Sequence, residues 1–423
     1  MSAFCDVSRR CFRPRIRFLF LVLAGTALLL VPLLACAKPT PEPKVVTFAF
    51  PRQDAAYYEA LLPQFAKVYP SITIKLLPQE GGALARLTST EADVLVASFA
   101  LDEKAKRGDL LDLEPWLVQD KSFKLDDFYP GLIDLYRFEG KTWAIPAGVD
   151  LYVMYYNRDL CDRYHVPYPR PGWTWDDFLS TALALRDSAA GVYGYVPLIS
   201  FLDPLLAVYQ HGGRLVDNWR NPTRTTFDDP LAIEALEWYA RLIHKHGVSP
   251  TPEEMRQDFG GDDERAVYSG VFSGKIGLWT DMYSAQGGRN SSRKWDFNWG
   301  MVTLPRDRQL ATLAQAEALV ISSQAKYPDA CWQWVTFLSR QVPARLAPVR
   351  RSVAESPAFE RLVGVENAAV ARASAENAIV IPPYTPELFG EIGQLWFQAI
   401  GAILSGQATP REAMVQAQQQ VNQ

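Results

Sequence analysis

The sequence has few of the residues that build disulfide frameworks or metal sites. It contains five cysteines and four histidines in 423 residues. Cys5 and Cys11 lie in the amino-terminal leader and Cys36 ends it, which leaves Cys161 and Cys331 in the body of the chain. Both lie in stretches with a helical, partly apolar pattern. We therefore expect two buried free thiols, and a fold that depends on its hydrophobic core alone.

Acidic residues outnumber basic residues outside the amino terminus. The whole chain has a net charge of −4, although its first 35 residues contain five arginines and one acid. The rest of the chain is therefore more acidic than the whole. An acidic body without a run of lysine or arginine argues against a nucleic-acid partner.

Motifs for common catalytic and metal chemistry are absent from the sequence. There is no His-Glu-x-x-His and no Gly-x-Ser-x-Gly. His244 and His246 stand at a predicted helix end, where histidine interacts well with the helix dipole. Residues 270–275 have one residue too few between their glycines for a phosphate loop, and the acidic residues 258–264 lack the spacing of a calcium loop. We expect no metal ion and no cofactor.

The amino terminus has the order of a secretory signal. Five arginines between Arg9 and Arg17 precede the apolar run Phe18–Val31, and Leu33–Cys36 follows it. The apolar run is short for a membrane span, and the proline-rich residues 37–43 cannot continue a helix. Leu33–Cys36 resembles a bacterial lipobox, which would make Cys36 a lipid anchor and residues 36–44 a tether. An ordinary cleaved signal is the alternative, and Sec and twin-arginine export both stay open.

Strand-like and helix-like segments alternate after the leader. Val45–Phe50, Ala55–Val68 and Ile72–Leu77 predict one strand-helix-strand unit, which is typical of an α/β fold. The chain beyond the leader is longer than one hydrophobic core usually serves, so two lobes are expected. Further strands are predicted at Val94–Ala97, Leu110–Leu113, Trp143–Pro146 and Leu151–Asn157.

Helix-start signals recur in the second half of the chain. Thr174 is followed three residues later by Asp177, close to a capping box, and Asp229-Pro230 begins another predicted helix. Pro328–Ser339 places apolar residues along one helical face, and Thr409-Pro410 begins a terminal helix.

Several segments in order resemble one protein family. Pro146–Asp150 followed by Tyr155–Leu160 resembles the hinge and following strand of the family 1 extracellular solute-binding proteins, the maltose-binding-protein-like group that feeds sugar ABC importers. The resemblance covers nearly all of the chain after the leader. Four further segments also resemble the family: Trp173–Phe178, His211–Leu215, Phe272–Trp279 and Leu404–Ala413.

The resemblance implies a two-lobed α/β fold of the periplasmic-binding-protein-like type II. Each lobe would hold a mainly parallel sheet flanked by helices, and three hinge crossings would fall near Ala147–Asp150, Ala314–Val320 and Leu346–Ser352. The implied organisation is a signal peptide at 1–35, a lipid-anchor tether at 36–44, a first lobe of 45–148 plus 320–348, and a second lobe of 149–319 plus 349–423.

The resemblance and the predicted strand ends together suggest ligand-binding residues in the cleft between the lobes. Asp150 stands where the family has a hinge acid. An acid that caps a strand end or pairs with an arginine is the structural alternative, and packing is the alternative for the aromatic residues. The candidates are Gln53, Asp54, Phe99, Asp150, Phe201, Asp203, Trp279, Asp281, Tyr283, Glu317, Tyr384 and Trp396.

The resemblance implies the substrate-binding lipoprotein of an ABC importer, a monomer without enzymatic activity. It would be held outside the cytoplasm on the membrane by Cys36, bind a sugar or oligosaccharide, and pass it to the permease. The alternatives are an extracytoplasmic glycoside hydrolase that uses Asp150 and Asp281 as acid and base, a sensory module, or a receptor for a polyol, a glycerol phosphodiester or another polar solute. An anionic ligand would need basic residues such as Arg52, Arg350 and Arg351.

Overall fold

A mixed β-sheet organises the chain. The structure is a computed structural model, and it describes residues 43–80, 91–97, 101–217, 223–288, 293–380 and 390–422. From Val45 onward the described residues pack as one compact unit. The strands are β1 (Lys44–Pro51), β2 (Ile72–Gln79), β3 (Val94–Ala97), β4 (Arg137–Phe138), β5 (Lys141–Thr142), β6 (Ile145–Asn157), β7 (Tyr193–Val196), β8 (Ile276–Met282), β9 (Trp299–Val302), β10 (Thr312–Ile321) and β11 (Ala378–Val380).

Helices flank the sheet and connect its strands. The helices are α1 (Ala55–Val68), α2 (Leu101–Lys106), α3 (Glu114–Gln119), α4 (Arg158–Arg163), α5 (Trp175–Leu185), α6 (Leu202–Gln210), α7 (Pro230–His244), α8 (Pro252–Phe259), α9 (Glu264–Phe272), α10 (Pro328–Leu338), α11 (Arg351–Ala354), α12 (Pro357–Val363), α13 (Val365–Glu376), α14 (Glu391–Leu404) and α15 (Pro410–Val421). None of the helices in the described residues is long and apolar enough to cross a membrane.

The strand order places two long strands at the centre of the sheet. The order is β2-β1-β3-β10-β6-β8-β7, with β11 beside β10 and β9 beside β6, while β4 and β5 form a separate pair. Parallel pairs form towards the outside, between β1 and β3 and between β7 and β8. The central strands β10 and β6 are antiparallel to each other, and they join the two ends of the sheet.

The three predicted crossing segments lie side by side. Val149 of β6 pairs with Ala316 of β10, and it also forms a backbone bridge to Ala347. The backbone of Gly148 approaches Leu346 so closely that an added Cβ would lie 2.8 Å from the Leu346 Cδ1. Three chain segments therefore run together through one narrow region, as a hinge requires.

Two clusters of buried apolar residues stabilise the chain. One cluster surrounds β1, β3 and β10 and includes Phe48, Val94 and Leu319, and it continues to Trp279 of β8. The other is built from α5, α7 and the carboxy-terminal helices and includes Trp175 and Met414. The sheet connects these clusters because β6 and β8 contribute side chains to both.

The structure confirms most of the predicted elements. Helix α1 has the predicted bounds, and Thr174 and Thr409 form complete capping boxes at the starts of α5 and α15. Cys161 and Cys331 are buried free thiols, as predicted. Residues 270–275 form the end of α9 and the turn after it. In the described residues no group of three potential metal ligands comes together.

Two strand predictions were wrong. Leu110–Leu113 is not a strand, since Leu110 forms only an isolated bridge to Ser322. The segments predicted separately around Pro146 and Leu151 are one strand, β6. A proline normally interrupts a strand, but Pro146 pairs with Ala318 at a register shift in β10, where a missing backbone donor is tolerated.

Close packing of β7 on α5 generates a stability prediction. A methyl group on Gly194 would lie 1.9 Å from the carbonyl oxygen of Ala182 in α5, whereas Gly401 in α14 has open space around an added Cβ. We expect Gly194→Ala to lower the free energy of unfolding by about 2–3 kcal/mol. The matched control Gly401→Ala should raise it by about 0.5–1 kcal/mol, because alanine favours a helix over glycine. Urea unfolding measures both, and an unaffected Gly194→Ala variant would contradict this packing.

Candidate ligand-binding site

Asp150 connects the central strand β6 to the segment after β8. Its carboxylate accepts hydrogen bonds from the backbone N–H of Ser284 at 2.9 Å and from the Ser284 hydroxyl at 2.6 Å. Ser284 lies in a short helical turn at Tyr283–Gly288 that directly follows β8. Burial raises the pKa of Asp150 to about 6, although the two hydrogen bonds oppose the increase. The sequence predicted Asp150, but the serine that orients it carries no recognisable sequence signal.

Asp281 lies near Asp150 at the end of β8. It is buried and accepts a hydrogen bond from the hydroxyl of Tyr268 at 2.7 Å and one from the Met282 backbone N–H at 2.7 Å. Burial raises the pKa of Asp281 to about 7, and the negative charge of Asp150 adds to the increase. The two acids therefore influence each other across the β6–β8 strand pair.

A second pair of acids, Asp54 and Glu317, lies around Arg345. The Arg345 guanidinium donates to both carboxylate oxygens of Asp54, at 2.8 and 3.1 Å, and lies 3.7 Å from the Glu317 carboxylate. Asp54 follows β1 and Glu317 lies in β10. Burial raises the pKa of Glu317 to about 7, while Arg345 acts in the opposite direction. Tyr57 lines the same small cavity, together with Gly148.

These four acids and Arg345 form one electrostatic group, which we call the hinge acid cluster. Arg345 lowers the pKa of Asp150, and the charge of Asp150 in turn raises that of Glu317. Arg345 is already engaged by Asp54, so the cluster offers carboxyl oxygens in excess of cations. Such a site is suited to hydroxyl donors and is unfavourable for an anion.

The arginines considered for an anionic ligand are engaged elsewhere. Arg52 is exposed and pairs with Glu80. Arg350 is buried, pairs with Asp127 and packs over the ring of Phe128. Arg351 forms a salt bridge with Glu376 at 2.9 Å. None of these contacts turns a guanidinium towards the hinge acid cluster.

Buried aromatic residues of β6, β8 and the segment after β8 pack together. Trp279 stacks on Tyr155 with ring centroids 5.7 Å apart and packs edge-on against Trp295 at 5.3 Å. Tyr283 is also fully buried. The indole N–H groups of Trp279 and Trp295 and the side-chain amide nitrogen of Gln286 find no acceptor among the described residues. Because buried donors are normally paired, these three can serve a polar ligand or water.

The remaining predicted residues lie apart from the hinge acid cluster. Asp203 is buried on the other face of β8, where it accepts a hydrogen bond from Thr280 at 2.7 Å and burial raises its pKa to about 7. The Phe201 carbonyl accepts a hydrogen bond from the buried Trp396 at 3.0 Å. Gln53 is exposed in the turn after β1. Three predicted residues lie outside the described residues: Phe99, Tyr384 and Cys36.

The structure also shows site residues that the sequence analysis missed. Arg345, Tyr268, Ser284, Gln286 and Trp295 all contact the predicted acids or rings, or present unpaired donors beside them. Arg345 directly precedes a predicted crossing segment, and this was a signal that could have identified it. The other four lie on α9 or in loops, where nothing in the local pattern distinguishes them.

Acids and buried rings around three crossing segments of an α/β sheet define a protein that binds a polar solute at a hinge. Comparison with known proteins identifies the family. Residues 50–341 match the family model described as bacterial extracellular solute-binding protein. The chain belongs to that family, as the sequence resemblance implied. Its members lie outside the cytoplasm and are binding proteins.

Solved structures of this kind confirm the two-lobed fold. A cyclo/maltodextrin-binding protein complexed with maltotetraose has a TM-score of 0.72 at 17% identity, over 91% of this chain and 99% of that one. An ABC substrate-binding protein of Listeria monocytogenes in complex with cycloalternan has a TM-score of 0.69 at 19% identity, over 90% and 98% of the two chains.

A curated relative has a similar length. The mannitol-binding protein of Pseudomonas aeruginosa is 23% identical over 403 residues, which covers 86% of this chain and 89% of the relative. A shorter match, 29% identical over 125 residues, is to an arabinooligosaccharide-binding protein of Halalkalibacterium halodurans. It covers 30% of this chain and 27% of that relative.

The buried acids predict that the protein becomes less stable as the pH rises. The raised pKa values of Asp150, Asp203, Asp281 and Glu317 mean that the folded state keeps protons that the unfolded chain releases. Each group should then lower the free energy of unfolding progressively from about pH 4 up to its folded pKa. We expect urea unfolding to show higher stability at pH 5 than at pH 7.5.

Asp203→Asn provides the control for that pH dependence. It removes one titrating group on the opposite face of β8 from Asp281 and keeps an acceptor for Thr280. The decrease in stability between pH 5 and pH 7.5 should be smaller in this variant. Asp176 is an exposed acid in α5, and Asp176→Asn should leave the decrease in stability between pH 5 and pH 7.5 unaltered. A wild-type stability that rises with pH would contradict the burial of these carboxyls.

Proposed function

We propose that this protein is the substrate-binding component of an ABC importer and binds an uncharged, hydroxyl-rich solute, a sugar or a polyol, at the hinge. The hinge acid cluster carries the proposal. Its carboxyl oxygens come from four separate segments of the chain, and its arginine is already bound by Asp54. A neutral ligand with several hydroxyls would satisfy these acceptors without adding charge.

The site offers acceptors for the hydroxyl hydrogens of a ligand and donors for its hydroxyl oxygens. Hydroxyl groups can donate to Asp150 and Glu317, while hydroxyl oxygens can accept from the unpaired indole N–H of Trp295 and the amide of Gln286. A site built to hydrogen-bond hydroxyls discriminates strongly against analogues that lack them, because its buried polar groups would then stay unpaired. The relatives named for mannitol and for arabinooligosaccharides support a ligand of this class.

Closure of the hinge would accompany binding. Asp54 lies on the β1 side of the crossing segments, whereas Asp281 and Ser284 lie on the β8 side. A ligand that contacts both sides binds the closed arrangement better than the open one, and this difference in affinity shifts the protein towards closure. The closed state would in turn be the form presented to the permease.

The remaining features of the proposal concern export and assembly. Residues 1–35 would be removed as a signal peptide, and the lipidated Cys36 would hold a monomer on the outer face of the membrane through the tether 36–44. The lobes would comprise 45–148 plus 320–348 and 149–319 plus 349–423. The family supports an extracytoplasmic location.

Glycoside hydrolysis is the competing function, because Asp150 and Asp281 are neighbouring acids with raised pKa values. A chromogenic glycoside distinguishes the two. Sustained release of product that is lost in Asp150→Asn would favour the enzyme, and stoichiometric binding without turnover favours the receptor.

Replacement of Asp150 tests the proposed site directly. We expect calorimetric titration against a panel of sugars and polyols to identify a ligand, and Asp150→Asn to weaken its binding at least about tenfold, since a charge-assisted hydrogen bond contributes roughly 1.5–3 kcal/mol. Asp176→Asn, at an exposed position in α5, is the matched control and should bind like the wild type. A panel without any binder would overturn the assignment of the ligand class.

The lipid anchor has its own test. In the full-length chain expressed in bacteria, Cys36→Ala should abolish metabolic labelling by a fatty acid and release the protein from the membrane fraction. Cys161→Ala, at a buried thiol, is the control and should keep the label. Continued labelling of Cys36→Ala would contradict the anchor.

A further inference from the structure

A second cavity lies beside the hinge acid cluster and has a different lining. It opens between the end of β7, the start of α8 and one side of α14, and its empty space is about 1250 Å³ including the open mouth. Leu198, Met255 and Val267 belong to one apolar cluster of the core, while Tyr239 and Ile400 belong to the other. The cavity is therefore a place where the two apolar clusters meet without filling the space between them.

The lining of this cavity is apolar and aromatic. The rings of Phe201 and Phe397 meet edge to face with centroids 4.5 Å apart. Its charged groups are the exposed Arg256, which pairs with Asp262 at 2.6 Å and with Glu253 at 3.0 Å, and Asp262 itself, while Ser249 is a buried polar residue of the lining. Because both carboxylates already neutralise Arg256, the cavity offers no unpaired cation from this side chain. A neutral apolar group fits these walls better than a sugar hydroxyl.

The cavity adjoins the hinge acid cluster through two contacts. The backbone N–H of Leu198 donates to the hydroxyl of Thr280 at 3.2 Å, and Thr280 directly precedes Asp281. Val267, which lines the cavity, directly precedes Tyr268, whose hydroxyl bonds to Asp281. The cavity therefore lies next to residues that precede or contact Asp281.

We propose that this cavity binds an uncharged apolar substituent, an aryl or alkyl group, carried by the sugar or polyol that the protein transports. This rests on the proposed function, and it narrows the ligand class from bare sugars to glycosides and similar conjugates. The hydroxylated part would bind the hinge acid cluster, and the substituent would displace water from the apolar walls. Burial of a phenyl group of this size increases affinity by about tenfold to a hundredfold.

A neutral fluorescent probe tests the cavity without any sugar. N-phenyl-1-naphthylamine should bind the wild-type protein with an increase in fluorescence. Gly401→Phe should weaken this binding at least tenfold, because Gly401 lines the cavity and an added Cβ there meets open space. Gln398→Phe is the matched control, since it adds the same ring to an exposed position of α14 that does not line the cavity. The melting temperatures of both variants verify that they are folded.

Paired glycosides test the link to transport. Phenyl glycosides of the hexoses should bind at least tenfold more tightly than the methyl glycosides, and Gly401→Phe should remove this difference without weakening the methyl glycosides. Equal binding of the probe to wild type and Gly401→Phe, or equal affinity for phenyl and methyl glycosides, would overturn the inference. Failure of every glycoside and polyol would instead overturn the proposed function, while the probe would still report on the cavity.

Discussion

The burial of carboxyl groups beside a hinge is the constraint on which the site depends. An ionised carboxylate loses several kcal/mol of hydration when it is removed from water, so each one needs hydrogen bonds, a cation or a proton. Asp54 is bound by Arg345, Asp150 by Ser284 and Asp281 by Tyr268. Burial still raises the pKa values of Asp150 and Asp281. The hydroxyl groups of a ligand would supply further hydrogen bonds to these carboxylates in place of the lost hydration.

The arrangement of the strands explains how the acids of the hinge acid cluster come together and how the distances between them can change. β6 and β10 are antiparallel strands at the centre of the sheet, and the segment around Ala347 pairs with β6 at Val149. Backbone hydrogen bonds hold the crossing segments together. Asp150 and Glu317 lie within these segments, while Asp54 follows β1 and Asp281 lies near the end of β8. A small rotation about this narrow region would change the distances between the acids far more than it would change the packing of either apolar cluster.

Two neighbouring regions of the protein differ in chemistry. The hinge acid cluster is rich in oxygen acceptors, with indole and amide donors nearby, and the cavity along α14 is apolar. The first region suits hydroxyl donors because its carboxyl oxygens outnumber its cations. The second lies between two apolar clusters that belong to different parts of the chain.

The sequence alone determined the family and the α/β class, because both depend on the local order of segments along the chain. Apolar periodicity located α1, capping pairs located α5 and α15, and Asp150 stands inside a recognisable segment. Tertiary structure decided which candidate residues meet. Asp203 and Asp281 are equally acidic and equally buried, but they lie on opposite faces of β8, and only Asp281 reaches the hinge. Arg345 pairs with Asp54 across 291 residues. No local pattern encodes such a contact, because it exists only when distant segments fold against each other.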